Sequence, residues 1–174
     1  MELVVHAPDR LSAGGRTFRC AIGRNGARND KTEGDGATPA GRFALHRVLY
    51  RADRLSRPDT GLPATPLAAD QGWCDDPTEP FYNQPVQLPF AGGHEVLWRE
   101  DPVYDVIVVL GHNDAPAVPG KGSAIFMHVA RPGYGPTEGC IALALADLLE
   151  VLALCGPGDT IAISSGDAAD ARRK

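Results

Sequence analysis

The chain has 174 residues, a net charge of −5 and 43% hydrophobic residues, enough for one domain that buries roughly 70% of the surface of its unfolded chain. Its basic run, Arg172-Arg173-Lys174, sits at the very end, which argues against a nucleic-acid partner, and no apolar stretch approaches the length that spans a bilayer. Twenty glycines and fifteen prolines favour short strands joined by turns over long helices.

Met1 to His6 lacks a basic start and a long apolar core, and Asp9-Arg10 follows at once, so the N-terminus does not read as a signal peptide. As written, the chain is expected in the cytoplasm. Leu3-Val4-Val5-His6 predicts a first strand, and Gly14-Gly15 predicts a hairpin turn to a partner over Thr17 to Ile22. Residues 23 to 41 are a polar, glycine-rich loop. No Gly-Lys-Ser/Thr follows it, and Arg42 to Leu49 reads as a strand, which argues against a phosphate cradle.

Residues 51 to 95 are proline-rich and irregular. The aromatic residues among their carboxylates argue against disorder, so a packed excursion lining one wall of a groove is expected. Trp73 is a candidate substrate contact there. Asp75-Asp76 would either bind an amine or cap a turn before Pro77.

Val103 to Leu110 predicts a strand apolar on both faces, ended by the turn residues Gly111-His112-Asn113-Asp114. His112, at that strand end, is a second candidate site histidine. Ser123 to Val129 predicts the neighbouring strand. Leu145, Leu148, Leu149 and Leu152 fall on one face of a helix over Leu145 to Leu154, with Asp147 in its first turn and Gly156-Pro157-Gly158 as its stop. Thr160 to Ile163 predicts a last strand, and a disordered polar tail is expected over residues 164 to 174. The expected class is mainly β, in a single domain over residues 1 to 163, with seven or more short strands and one prominent α-helix.

Four cysteines occur, Cys20, Cys74, Cys140 and Cys155. No C-x-x-C or H-x-x-x-H spacing marks a zinc site. Cys20, Cys74 and Cys155 read as small buried apolar residues. A free Cys140 leaves an odd three, which favours a reducing compartment.

Chemistry concentrates in residues 122 to 143. An apolar run, Ala124 to Met127, ends in His128. A loop punctuated by Pro132, Gly133, Gly135 and Pro136 then leads to Gly139-Cys140. An imidazole beside a cysteine stabilises its thiolate and lowers its pKa. Gly139 lets the backbone turn sharply and present N–H groups to an oxyanion. The plain alternative is a buried structural cysteine near a core histidine.

Thr137-Glu138-Gly139-Cys140-Ile141, with Gly122 to His128 before it, resembles the signature of the L,D-transpeptidase (YkuD-type) catalytic domain. Thr38-Pro39-Ala40-Gly41-Arg42-Phe43 resembles a turn of the same family. Glu138 stands where the family usually has a second histidine, Ala142 where many members have an arginine, and the loop from His128 to Cys140 is short. The resemblance implies a mixed β-sandwich over residues 34 to 163, and acyl transfer through a thioester on Cys140. His128 would shuttle the proton, with its ring oriented by the Val129 carbonyl, and N–H groups of Gly139 and Cys140 would hold the oxyanion. Thr137 would brace the loop, while Arg131, Tyr134, Thr137 and Glu138 are candidate substrate contacts. The implied partners are peptidoglycan stem peptides, without metal or organic cofactor, in the cell envelope. Hydrolysis by an L,D-carboxypeptidase or amidase, a non-catalytic wall-binding module, and an unrelated thiol protease stay open as alternatives.

Overall fold

In the computed structural model, which describes residues 1–165, the chain opens on an antiparallel meander of β1 (Glu2–His6), β2 (Arg10–Ala13) and β3 (Arg16–Arg19). Gly14-Gly15 therefore joins β2 to β3, and the first strand pairs instead with Arg10–Ala13. Arg10 and Ser12 hide β2 from an apolar pattern, although Leu11 and Ala13 alternate inward as a pleated strand requires.

The 23–41 loop carries a short parallel pair, β4 (Ala27–Arg28) and β5 (Thr38–Pro39). It leads into the long β6 (Gly41–Tyr50). The excursion expected to be irregular has a framework of its own: β7 (Ala64–Pro66) lies against β6, and β8 (Gln71–Cys74) is the centre of a small sheet with β9 (Pro85–Gln87) and β10 (His94–Val96). Strands of three or four residues are too short to display a period of two. A 3-10 turn over Pro102–Tyr104, capped by the Asp101 side chain, delays the next strand, so β11 is Val106–Leu110 and does not start at Val103. β12 (Phe126–Val129), β13 (Ile141–Leu143), α1 (Leu145–Leu154) and β14 (Thr160–Ile163) complete the order.

The large mixed sheet runs β13-β12-β11-β6-β14-β1-β2-β3. β6 bridges its halves, meeting β14 through Gly41 to Ala44 and β11 through Leu45 to Tyr50. Its far ends approach each other. Ala21, just after β3, exchanges both backbone hydrogen bonds with Ala142 of β13, at 2.8 and 2.9 Å, and the sheet curls nearly into a barrel. The fold is mainly β and sandwich-like, with one α-helix among the described residues.

β11 is buried on both faces, which accounts for its unbroken apolar run. Val106, Val108 and Leu110 join a core with Met127, Val129 and the α1 residues Leu148, Val151 and Leu152. Ile107 and Val109 face the opposite way, toward Phe126, Tyr104, Trp73 and Cys140. The site grows out of this second core. Ser164, assigned by sequence to the tail, is tied to the Val5 carbonyl through its hydroxyl at 3.2 Å. Residues 166–174 of the expected tail lie outside the described residues.

Candidate active site

β12 and β13 run parallel, with His128 opposite Ala142 and Met127 opposite Ile141. Cys140 immediately precedes β13, so its sulfur lies beside Phe126 on the second-core face. The Phe126 N–H points at Sγ from 3.4 Å, and the thiol donates to the Ala124 carbonyl at 3.2 Å. His128 is two residues beyond Phe126 and therefore on the same face of β12. Its Nδ1–H donates to the Val129 carbonyl at 2.9 Å. In the neutral ring that bond leaves Nε2 as the proton acceptor. The Tyr104 ring meets the imidazole edge-on, with centroids 5.3 Å apart.

Both side chains line a cavity of about 540 Å³, together with Arg131, Thr137, Glu138 and Gly139. The 23–41 loop supplies Lys31 and Glu33 to its lining, and the excursion supplies Asp75, His94 and Glu95. The excursion is a wall of the cavity, as expected. Asp76 instead forms the capped turn, its carboxylate accepting from the Thr78 N–H and hydroxyl at 2.9 and 2.7 Å.

The loop that presents Cys140 is held by Thr137. Its hydroxyl donates to the Cys140 carbonyl at 2.6 Å and accepts from the Gly139 N–H at 3.1 Å. The Gly139 N–H, expected as an oxyanion donor, is bonded within the loop. Gly139 is required for another reason: its φ is +149°, and a Cβ there would sit 2.8 Å from the Ala37 carbonyl oxygen. Replacing Thr137 by valine removes both bonds while keeping the shape. Because it leaves the Gly139 N–H buried without an acceptor, a stability loss of about 1–3 kcal/mol is expected, read as a lower urea midpoint.

The electrostatics reverse the expectation for the thiol. Burial pushes Cys140 up to about 12, the Glu95 carboxylate adds to the rise, and the Phe126 N–H opposes it. Burial likewise holds His128 down at about 4. In the empty cavity the pair is therefore thiol and neutral imidazole, not thiolate and imidazolium. The sequence shows that the two groups are near each other but not that both are dehydrated, and desolvation disfavours each charged form. Glu138, next in sequence but one to the nucleophile, is 80% exposed and paired with Arg24. The like charge acting on the sulfur comes from Glu95.

Three candidates lie outside the cavity. Trp73 is buried, and its indole N–H donates to Asn83 Oδ1 at 3.0 Å. The same oxygen accepts from the Ala124 N–H at 3.0 Å, holding a residue at φ +52°, where a side chain is costly. Trp73 thus reaches the site through the backbone that receives the Cys140 thiol, and its ring packs edge-on against Phe126, centroids 5.1 Å apart. His112 packs edge-on against Phe43 and its Nε2 donates to the Lys121 carbonyl at 3.0 Å. Tyr134 lies on the far side of the loop under the Arg19 guanidinium, 4.4 Å from its ring centroid. Asp75, singled out with Asp76 in the sequence, does line the cavity, whereas Glu95, Tyr104 and Lys31 line it without any spacing signal, since each arrives from a separate loop or strand.

A family model described as YkuD, L,D-transpeptidase catalytic domain, matches residues 2–163. No curated protein and no solved structure matches.

Proposed function

Since the chain belongs to the L,D-transpeptidase catalytic-domain family, enzymes that act on peptidoglycan stem peptides, we propose that Cys140 carries out acyl transfer on such stems through a thioester. The observation that supports this most is the placement of His128 and Cys140 on one face of adjacent strands, both open to the same cavity. His128 Nε2 takes the proton from the Cys140 thiol as sulfur attacks the carbonyl that links an L-centre to D-alanine. The C–N bond then breaks, the departing D-alanine amine receives the proton from His128, and the stem is left as a thioester on Sγ. The side-chain amine of a second stem attacks that thioester, giving its proton to His128, which returns it to sulfur as the new amide forms.

The Val129 carbonyl keeps Nδ1 protonated and so preserves Nε2 as the base throughout. With the Gly139 N–H bonded to Thr137, the Cys140 N–H is the oxyanion donor in this reading, an effect typically worth ~10²–10³ in rate. Arg131 and Glu138 stand at the rim where a stem peptide enters.

Intact-mass analysis after incubation with a tetrapeptide stem or a carbapenem tests the reading. An acyl adduct is expected, mapping to Cys140, together with a cross-linked stem dimer. An adduct accompanied only by trimmed tripeptide would mean that water replaces the amine, as in an L,D-carboxypeptidase. Absence of any adduct, with the stem still bound, would favour a non-catalytic wall-binding module.

A further inference from the structure

Asn83 is absent from the lining of the cavity, yet it is bonded to the segment that holds the Cys140 sulfur. It sits in the excursion between β8 and β9, 7% exposed, and its amide is bonded at every position. Oδ1 accepts from the Trp73 indole N–H and from the Ala124 N–H, each at 3.0 Å. Nδ2 donates to the His112 and Asn113 carbonyls at 3.0 and 2.8 Å. Two N–H groups on one side and two carbonyls on the other admit only this orientation of the amide. The φ of Asn83 itself is +58°, a region asparagine tolerates. Ala124 is different. Its φ is +52°, where an alanine rarely settles unless its surroundings hold it there. In this conformation the Ala124 carbonyl accepts from the Cys140 thiol at 3.2 Å. The sulfur also meets the Phe126 N–H at 3.4 Å, so two backbone groups of one segment anchor it.

We infer that Asn83 is a positioning residue for the nucleophile: by clamping the Ala124 peptide in the left-handed conformation, it fixes where the Cys140 sulfur stands when it attacks. The inference rests on the reading of Cys140 as the nucleophile. Neighbouring bonds do not duplicate the clamp. The Tyr82 hydroxyl accepts from the Gly122 N–H at 3.1 Å, and the Ser123 hydroxyl donates to Glu33 at 2.7 Å. These tether the two residues before Ala124, whereas the Ala124 N–H itself is held by Asn83. Without that side chain the alanine relaxes toward negative φ and its carbonyl swings off the thiol. The sulfur then keeps a single anchor, the Phe126 N–H. A nucleophile displaced by about 1 Å can lose roughly 10²-fold in rate, while the substrate binds as before.

The test is carbapenem acylation of the full chain, followed by intact mass over a range of concentrations, which separates the maximal rate from the half-saturating concentration. Asn83→Gly is the variant of choice, because glycine takes φ +58° without penalty and only the side chain is lost. Its maximal rate is expected to fall roughly ten- to a hundredfold, at a half-saturating concentration within about twofold of wild type. Adding Ala124→Gly is expected to recover most of the rate, since glycine reaches φ +52° as readily as negative φ. The urea midpoint of the double variant should stay low, because none of the four hydrogen bonds of Asn83 returns. A folded Asn83→Gly protein that acylates at the wild-type rate, or a double variant no faster than Asn83→Gly, overturns the proposal. If Asn83→Gly does not fold, Asn83→Asp decides. It keeps Oδ1, so a maximal rate near wild type is expected, and a loss of roughly tenfold or more in the folded protein overturns the proposal. A wild-type protein that forms no carbapenem adduct refutes acyl transfer instead, and iodoacetamide alkylation resolved by peptide mapping then reads the clamp. Cys140 is expected to alkylate several-fold faster in Asn83→Gly, with Ala124→Gly reversing the gain. An equal rise at Cys74, whose N–H is bonded to Gln84 in the same excursion, means general loosening and overturns the proposal.

Discussion

Cys140→Ala is expected to lose the acyl adduct entirely, and to reduce stem turnover by a factor on the order of 10⁴ or more, as for loss of a covalent nucleophile. The substitution removes a thiol that donates to the Ala124 carbonyl and accepts from the Phe126 N–H. Leaving those groups unpartnered costs about 1–3 kcal/mol, against a typical domain stability of about 5–15 kcal/mol. The variant should therefore fold, and its inactivity can be assigned to chemistry after circular dichroism and a urea midpoint establish that it has. Cys140→Ser preserves a donor and an acceptor at the same place. It should nonetheless form no adduct, because an imidazole held near 4 is a poor base toward an alcohol. Turnover retained in the alanine variant would remove Cys140 from the reaction. An adduct surviving there on Cys20, Cys74 or Cys155 would move the nucleophile elsewhere.

The parts of this molecule that were legible in sequence are those whose signal is local. α1 and β14 each bury a face set by their own periodicity, and the expected helix over Leu145 to Leu154 has the bounds observed; β12 is apolar and buried on both faces, and begins at Phe126, not at Ser123. β2 was not legible because half of its residues are polar, and the β8–β9–β10 sheet was not because its strands are held by pairing across the excursion. The Asp101 cap and Pro102 shortened the strand expected from Val103, since a 3-10 turn can be as apolar as a strand.

The site divides along the same line. His128 and Cys140 are close in sequence and end or precede neighbouring strands, so their meeting needs only one tight loop, with Gly139 where the backbone passes Ala37. Glu95 and Tyr104 reach the cavity by long-range packing, and a lone glutamate in a short strand carries no mark of that. Trp73 and Tyr134 looked like substrate contacts because aromatic residues line many sites. A large apolar ring is more readily satisfied in a core or under a guanidinium, and these two are. The direction of the Cys140 shift could not be read from spacing at all, since two groups at the same separation form an ion pair in water and a neutral pair when both are dehydrated.

That neutral imidazole makes the fold sensitive to acid. The pKa of His128 lies at about 4 in the folded protein against 6.5 ordinarily, so between those values the unfolded chain binds the proton and the folded one does not. Stability from this group is complete above pH 6.5, falls as pH drops toward 4, and amounts to on the order of 3 kcal/mol across the window. His112, also held below its ordinary value by burial, adds a loss of the same sign. Glu95 and Asp75, raised by burial, act the other way: the penalty for burying their charge is relieved as pH falls, so they partly offset the loss. The comparison of wild type with His128→Gln isolates the imidazole, since glutamine is neutral throughout. Urea midpoints at pH 7.5 and pH 4.5 should converge: the wild type loses stability on acidification and the variant loses markedly less. Parallel slopes would mean that His128 is solvated in the folded protein. The same low pKa sets the acid limit of chemistry, because Nε2 remains a base well below pH 6.5. Adduct formation at saturating carbapenem should therefore persist to about pH 5, where an ordinary histidine would be largely protonated.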